Sequence, residues 1–193
     1  VATVAGSIGI IVYPLVLYIV RKSAVHPLRW LHSMTAPSLA AITSGDLYFS
    51  LGTAVRIGKE NLGVPRRIGG TVLPFVTIVS RAGSTMVAVA GFLLVIRSYT
   101  ALEIDLRETA RIVLTAVGYS FLLARNPAGA VTVLLSYLAV AHGRGMEESY
   151  LILVPILPVL ERLGAWLDVM TQGFVTYLVA DLEELRRPVD RPA

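Results

Sequence analysis

Long apolar stretches, broken by short polar interruptions, run almost the whole length of the chain. Val1 to Val20 carries no charged residue, and at 1.5 Å per residue it is long enough to cross a hydrocarbon core of ~30 Å. Arg21 and Lys22 close this stretch; a cleavable signal peptide would carry its positive residues ahead of the apolar run, so the pattern predicts a membrane span over residues 1–22. Residues 27–60 are apolar but interrupted at Thr43-Ser44-Gly45-Asp46. Each arm is about sixteen residues, too short to cross, and the break consists of residues that disfavour helix. This predicts a re-entrant hairpin, two short helices with their tip inside the membrane. Residues 65–98 predict one span broken at Ser80-Arg81-Ala82-Gly83-Ser84, and residues 105–142 repeat the hairpin design around Ala124-Arg125-Asn126-Pro127-Ala128-Gly129. Residues 147–185 predict a final span containing Glu161, Asp168 and Gln172, followed by a tail at 186–193.

The predicted fold class is therefore an all-α polytopic membrane protein, transmembrane helices plus two re-entrant helical hairpins. The order of elements, hairpin and then interrupted or polar span, twice over, suggests an internal repeat. Irregular backbone at membrane depth is tolerated where protein buries it or water lines it, which is where repeat-built transporters place their sites.

Composition agrees. Of 193 residues, 55% are hydrophobic and only 16% charged, with a mean hydropathy of +0.70, whereas a soluble domain carries about a quarter charged residues. A pI of 9.6 raises nucleic acid as a partner, but the basic residues sit at the ends of apolar runs, as membrane topology places them. No nucleic-acid partner is expected. There is no cysteine, which excludes disulfides and thiolate metal sites.

Charge placement tests the topology. If the first span exits to the cytoplasm, Arg21, Lys22, Arg29, Arg56, Lys59, Arg66, Arg67, Arg186, Arg187 and Arg191 lie inside, against Arg97, Arg107, Arg111 and Arg144 outside. That is a positive-inside bias, and it places the C-terminus in the cytoplasm and the chain in a cell (inner, cytoplasmic) membrane. Reading each hairpin arm as a full span would scatter the same residues on both sides. Residue 1 is not Met, and the expectation is a fragment preceded by further spans.

Asp46, Arg81, Arg125, Glu161 and Asp168 then remain at or near membrane depth. Unpaired, five such charges would cost on the order of 15 kcal/mol on insertion scales, so they pair or face a wet cavity. Glu161, Ala165, Asp168 and Gln172 are spaced so that they fall within an arc of about 60° on one helix face. Two readings stand side by side: Arg81 or Arg125 forms a structural salt bridge with Glu161 or Asp168, or these groups line a binding site at the helix breaks. Arg162 points about 100° away from Glu161 and is assigned to the lipid interface or to structure. Gly118 is expected to permit a close helix contact. Nucleotide loops, catalytic triads and zinc spacings are missing, and the chain reads as no enzyme.

Local motifs carry a resemblance over most of the chain. Arg56-Ile57-Gly58-Lys59-Glu60 precedes Leu62-Gly63-Val64; Val72-Leu73-Pro74 opens the broken span; Leu114-Thr115-Ala116-Val117 runs through to Pro127; and Tyr150–Ala180 has the pattern of an amphipathic last helix. In these the chain resembles a divergent C-terminal transport-domain half of the dicarboxylate/amino acid:cation symporter (glutamate transporter) family. The resemblance implies a long helix, re-entrant hairpin one, a broken helix, re-entrant hairpin two as a gate, and a last helix, working by elevator-type alternating access. It implies a secondary active transporter of dicarboxylates or of acidic or other amino acids, and a homotrimer assembled through an N-terminal scaffold half.

It also implies where the site lies. The substrate would be held among Asp46, Ser80, Arg81, Ser84, Arg125, Asn126, Pro127, Glu161 and Asp168, with Glu161, Asp168 and Gln172 coupling the ion. The family's Asn-Met-Asp-Gly-Thr stands here as Ser80-Arg81-Ala82-Gly83-Ser84, and the family's Asp, Arg, Asn and Asp of the last helix stand as Glu161, Gly164, Asp168 and Gln172. Family sodium positions thus correspond to Ser80, Ala82, Asp168 and Gln172, and the clamping Arg is missing, its charge supplied by Arg81 or Arg125 instead. No cofactor is implied beyond Na+ or H+ as coupling ion. Glu161 and Asp168 are the candidate proton carriers, since intramembrane carboxyls serve that role in transporters. Alternatives are a non-transporting membrane sensor or assembly protein that keeps the fold, and an anion channel.

Overall fold

The computed structural model describes residues 1–20, 27–100, 105–123, 128–143 and 148–182. Within them every regular element is helical. We label the helices α1 (Ala2–Val20), α2 (Pro27–Ser44), α3 (Leu47–Leu62), α4 (Arg66–Val79), α5 (Ala82–Thr100), α6 (Leu106–Leu123), α7 (Ala130–His142) and α8 (Leu157–Leu182), the last preceded by a 3₁₀ turn at Ser149–Ile156. Among the described residues three stretches are long and apolar enough to cross a membrane: Ala2–Val20, Arg66–Ser98 counted through its break, and Tyr150–Asp181. Much of the outer surface is apolar, with Ile11, Ile19, Phe49, Phe75, Leu114 and Leu122 each more than half exposed. A water-soluble protein would hide such a surface.

The breaks are narrower than the sequence pattern suggests. Thr43 and Ser44 still belong to α2, so the first hairpin turns on Gly45 and Asp46 alone. Gly45 takes φ = 67°, a left-handed conformation that glycine adopts without a Cβ clash. Asp46 then caps α3, its Oδ1 accepting the Tyr48 N–H at 2.8 Å. In the broken span only Ser80 and Arg81 leave the helix; Ala82, Gly83 and Ser84 already form the first turn of α5. Ser80 is extended (φ −121°, ψ 122°) after donating its N–H to Val76 O. The first span holds a feature that periodicity did not predict, a π turn at Ile8–Val12. Gly9 lies in that turn against the Trp166 indole, and a Cβ on Gly9 would stand 2.7 Å from Trp166 Cη2.

Helix α8 is the axis of the bundle and touches α1, α2, α3, α4, α5 and α7. Around its N-terminal half, α5, α6 and α7 build one apolar cluster with Phe92, Ile112, Leu134, Leu138, Leu160 and Leu167. Around its C-terminal half, α1 to α4 build another with Leu17, Trp30, Met34, Leu62, Ile68 and Tyr177. Each cluster thus combines one hairpin with one half of the broken span. Between them Ala41 and Leu47 of the first hairpin pack with Ala165 and Val169 of α8. Trp30 is wholly buried, edge-on to both Tyr13 and Phe174. Tyr13 donates its hydroxyl to Thr171 Oγ1 at 2.7 Å, because the Thr171 proton is already committed to Leu167 O.

Helix α5 crosses α8 with the two backbones in close approach. A Cβ on Gly83 would overlap the backbone nitrogen of Asp168 and stand 2.5 Å from the Leu167 carbonyl carbon. Gly164 meets the same crossing from the other side, where a Cβ would stand 2.8 Å from Val131 Cγ2 and 2.9 Å from Ser84 Oγ. Small residues let helix backbones approach within a membrane. Gly118, assigned that role from sequence, does not perform it: it is exposed and nothing described lies within 4 Å of its would-be Cβ. Its face of α6 points outward, and Ile112, Ala116 and Ser120 make the inner one. Gly83→Ala is therefore expected to lower stability by roughly 1–3 kcal/mol through forced separation of α5 from α8. Gly118→Ala should be neutral or stabilising by up to about 1 kcal/mol through helix propensity. Unfolding of the two variants in detergent, monitored by helical circular dichroism, checks the contrast.

Candidate functional site

Two helices begin in the interior beside α8, and each is closed by a carboxylate from it. At the start of α5, Asp168 Oδ1 accepts the N–H groups of Gly83 (2.7 Å) and Ser84 (3.1 Å), and Oδ2 accepts the Ser84 hydroxyl at 2.6 Å. At the start of α7, Glu161 Oε1 accepts the Thr132 N–H at 2.8 Å and the Thr132 hydroxyl at 2.7 Å, while Oε2 lies 3.4 Å from the Val131 N–H. The two arrangements match position for position. In both, a carboxylate takes the second and third N–H groups of a helix and the hydroxyl at its third position. A helix leaves its first N–H groups without intrahelical partners and carries a partial positive charge there. Buried in the bundle they need a protein partner, and a carboxylate from a neighbouring helix supplies it.

The caps differ in their surroundings. Asp168 is 1% exposed, and Arg81, 2% exposed, places Nη1 3.5 Å from Asp168 Oδ2. Of the sequence's two readings for Arg81, the ion pair is realised with Asp168. Glu161 is only half-buried. Seven residues separate the two carboxylates along α8, two helical turns, with Gly164 between them in contact with Val131 of α7 and Ser84 of α5. The position that the resemblance gives to a clamping Arg is thus taken up by packing of these two helices.

The stripe continues along α8. One end of the Gln172 amide lies 3.1 Å from Thr77 Oγ1 at the close of α4, and its nitrogen has no hydrogen-bond partner among the described residues. The Thr77 proton is directed to Leu73 O at 2.7 Å, so a Gln172 amide turned to donate its N–H to Thr77 satisfies both groups. Thr176, one turn further on, is buried with its hydroxyl likewise unpartnered. Ala165, counted in the stripe, instead packs on the tip of the first hairpin.

The structure therefore brings Arg81, Ser84 and Asp168 into one cluster, and sets Glu161 beside it across Gly164. Asp46 stays a local cap of α3, although its neighbour Leu47 reaches the middle of α8. Ser80 and Ala82 face away from that cluster, into a cavity of about 380 Å³ that Thr85, Val117 and Ser120 also line. Arg125, Asn126 and Pro127 lie outside the described residues. Arg162 is exposed, as its helical angle required. Thr132, Thr77 and the Gly83 and Val131 amides were not singled out from sequence. The signal that could have found Thr132 is a hydroxyl at the third position after a break, the place Ser84 holds in α5.

Loss of the Asp168 carboxylate strands the α5 amides and takes away the counter-ion of a buried guanidinium, whereas loss of Glu161 uncaps one half-buried helix end. Asp168→Ala is expected to destabilise the chain by roughly 3–5 kcal/mol and Glu161→Ala by about 1–2 kcal/mol. Denaturant titration in mixed micelles checks the order; equal losses would show that Arg81 adds nothing.

The profile of the sodium:dicarboxylate symporter family matches residues 1–182. A search of curated proteins finds no significant match.

Proposed function

This chain belongs to the sodium:dicarboxylate symporter family, and from that premise we propose that it forms the solute-carrying part of a cation-coupled symporter. The family is one of transporters for dicarboxylates or amino acids, not of enzymes, and the chain is a membrane protein. The observation that carries the finer reading is the break at Ser80-Arg81. It falls in the middle of a 33-residue apolar stretch and is closed by carboxylate and amide groups of a second long apolar helix. Interrupted helices whose ends face polar groups near the bilayer midplane are the usual construction of a solute and ion site.

In this reading α2–α3 and α6–α7 are re-entrant hairpins. Residues 1–193 are part of one transport domain, with residues 186–193 as its tail in the cytoplasm, and the protein sits in a cell inner membrane. The second hairpin is the gate: α7 is held to α8 through Glu161, and the tip with Arg125, Asn126 and Pro127 closes over the solute. Arg81, Ser84, Glu161 and Asp168 form the wall around it, with Asp46 and Ser80 at the margins. Movement is of the elevator type against a trimeric scaffold.

The coupling ion is Na+ or H+. Gln172 offers an amide where the family places a carboxylate, so a sodium ion there would lack a formal counter-charge; Glu161 and Asp168 are the groups able to carry a proton. Arg81, half of the pair with Asp168, orients that carboxylate.

Proteoliposomes loaded with the purified protein should accumulate labelled aspartate, succinate or alanine above equilibrium when an inward Na+ or H+ gradient is imposed, and lose it when an ionophore collapses the gradient. Binding without accumulation under either gradient would favour a sensor, and anion currents independent of solute would favour a channel.

A further inference from the structure

We propose that the end of the bundle where α2 begins, α3 ends and α4 begins binds the headgroups of anionic phospholipids, with Arg29, Lys59, Arg66 and Arg67 as its cations. The inference needs only that the chain spans a membrane, and it stands whether or not the chain carries a solute.

The apolar stretches fix the level of this surface. Ala2–Val20 ends here, Arg66–Ser98 starts here and Tyr150–Asp181 ends here. Leu17, Trp30, Leu62, Val64, Ile68 and Tyr177 pack together just beneath it. This is therefore the height at which hydrocarbon gives way to headgroups. The same packing gathers basic residues that lie far apart in the chain. Arg29 in the first turn of α2 comes level with Arg56 and Lys59 in the last two turns of α3 and with Arg66 and Arg67 in the first turn of α4. All five are exposed.

Little negative charge answers them. Glu60 is tied to Arg56 at 3.1 Å, and the other acid at this end, Asp181, is buried. Arg29, Lys59, Arg66 and Arg67 make no ion pair among the described residues. The opposite end is built differently. There Arg97, Arg107 and Arg111 stand with Asp105, Glu108 and Glu148, as many acids as cations among the described residues. Membrane topology asks only for more lysine and arginine on one side, and acids count for little in it. Withholding acids from one end alone leaves a field that draws anionic headgroups, each cation adding an attraction that fades with salt.

The occupant is a lipid rather than a soluble anion, because apolar surface continues from the cations. Leu28, next to Arg29, is 64% exposed, and Tyr18 and Ile19 at the end of α1 are 61% and 65% exposed. Acyl chains lie along that surface while the phosphate meets the charged heads, which long basic side chains carry out to the interface.

Native mass spectrometry of the full chain, released from micelles holding phosphatidylglycerol and phosphatidylcholine in equal amounts, tests this. The wild type should retain phosphatidylglycerol in preference, and less of it as salt rises. Lys59→Gln, Arg66→Gln and Arg67→Gln combined should lower the ratio of retained phosphatidylglycerol to phosphatidylcholine about a hundredfold, and each alone roughly fivefold. Arg97→Gln, Arg107→Gln and Arg111→Gln combined, at the other end, should leave the ratio within about twofold. Equal retention of the two lipids by the wild type, or equal losses in the two triple variants, overturns the proposal. Should the first triple variant not fold, the single variants decide, and three unchanged ratios are fatal. Soluble glycerol phosphate at the same phosphate concentration should not displace the lipid; displacement overturns the assignment to a lipid.

Discussion

The bundle depends on satisfying helix ends that water cannot reach. A helix that starts inside a hydrocarbon environment has backbone N–H groups with no partner, and each such group costs several kcal/mol if left bare. In this chain α5 and α7 start inside the bundle, and one helix, α8, supplies a carboxylate to each. The caps serve three purposes at once. They permit a break in a long apolar stretch, they fix the depth at which the second hairpin meets α8, and they lodge negative charge where it is stabilised by helix dipoles and, at Asp168, by Arg81.

The rest of the packing follows from holding those contacts short. Asp168 and Glu161 reach the amides of α5 and α7 only because Gly83 and Gly164 let the backbones touch. The apolar clusters on either side of this polar layer join a hairpin and half of the interrupted span to each half of α8. A π turn around Gly9 brings α1 onto Trp166 of α8. Polar contacts thus follow the stripe of α8 from Glu161 to Thr176, and much of the surface outside them is apolar.

For function, the same contacts cut two ways. The carboxylate caps hold α5 and α7 against α8 at the break. The backbone donors at both helix starts are spent on side chains of α8. The half-buried Glu161 cap is the weaker of the two fastenings.

Much of the architecture was legible in the residues themselves. Uncharged runs of spanning length, arms too short to span and charges gathered at segment ends depend only on the thickness of the membrane and the cost of burying charge, so they can be read along one dimension. The polar stripe Glu161–Asp168–Gln172 was visible for the same reason, helical geometry being local. What each member of that stripe does was not. That Asp168 would pair with Arg81, that Thr132 would mirror Ser84, that Gly83 and Gly164 rather than Gly118 would mark the close crossing, and that Ser80 would face a cavity while Arg81 turned inward, all depend on which helix lies across from which. Those neighbours stand dozens of residues away in sequence. Only tertiary packing decides them, because an unpaired helix end takes whichever carboxylate the fold brings within 3 Å.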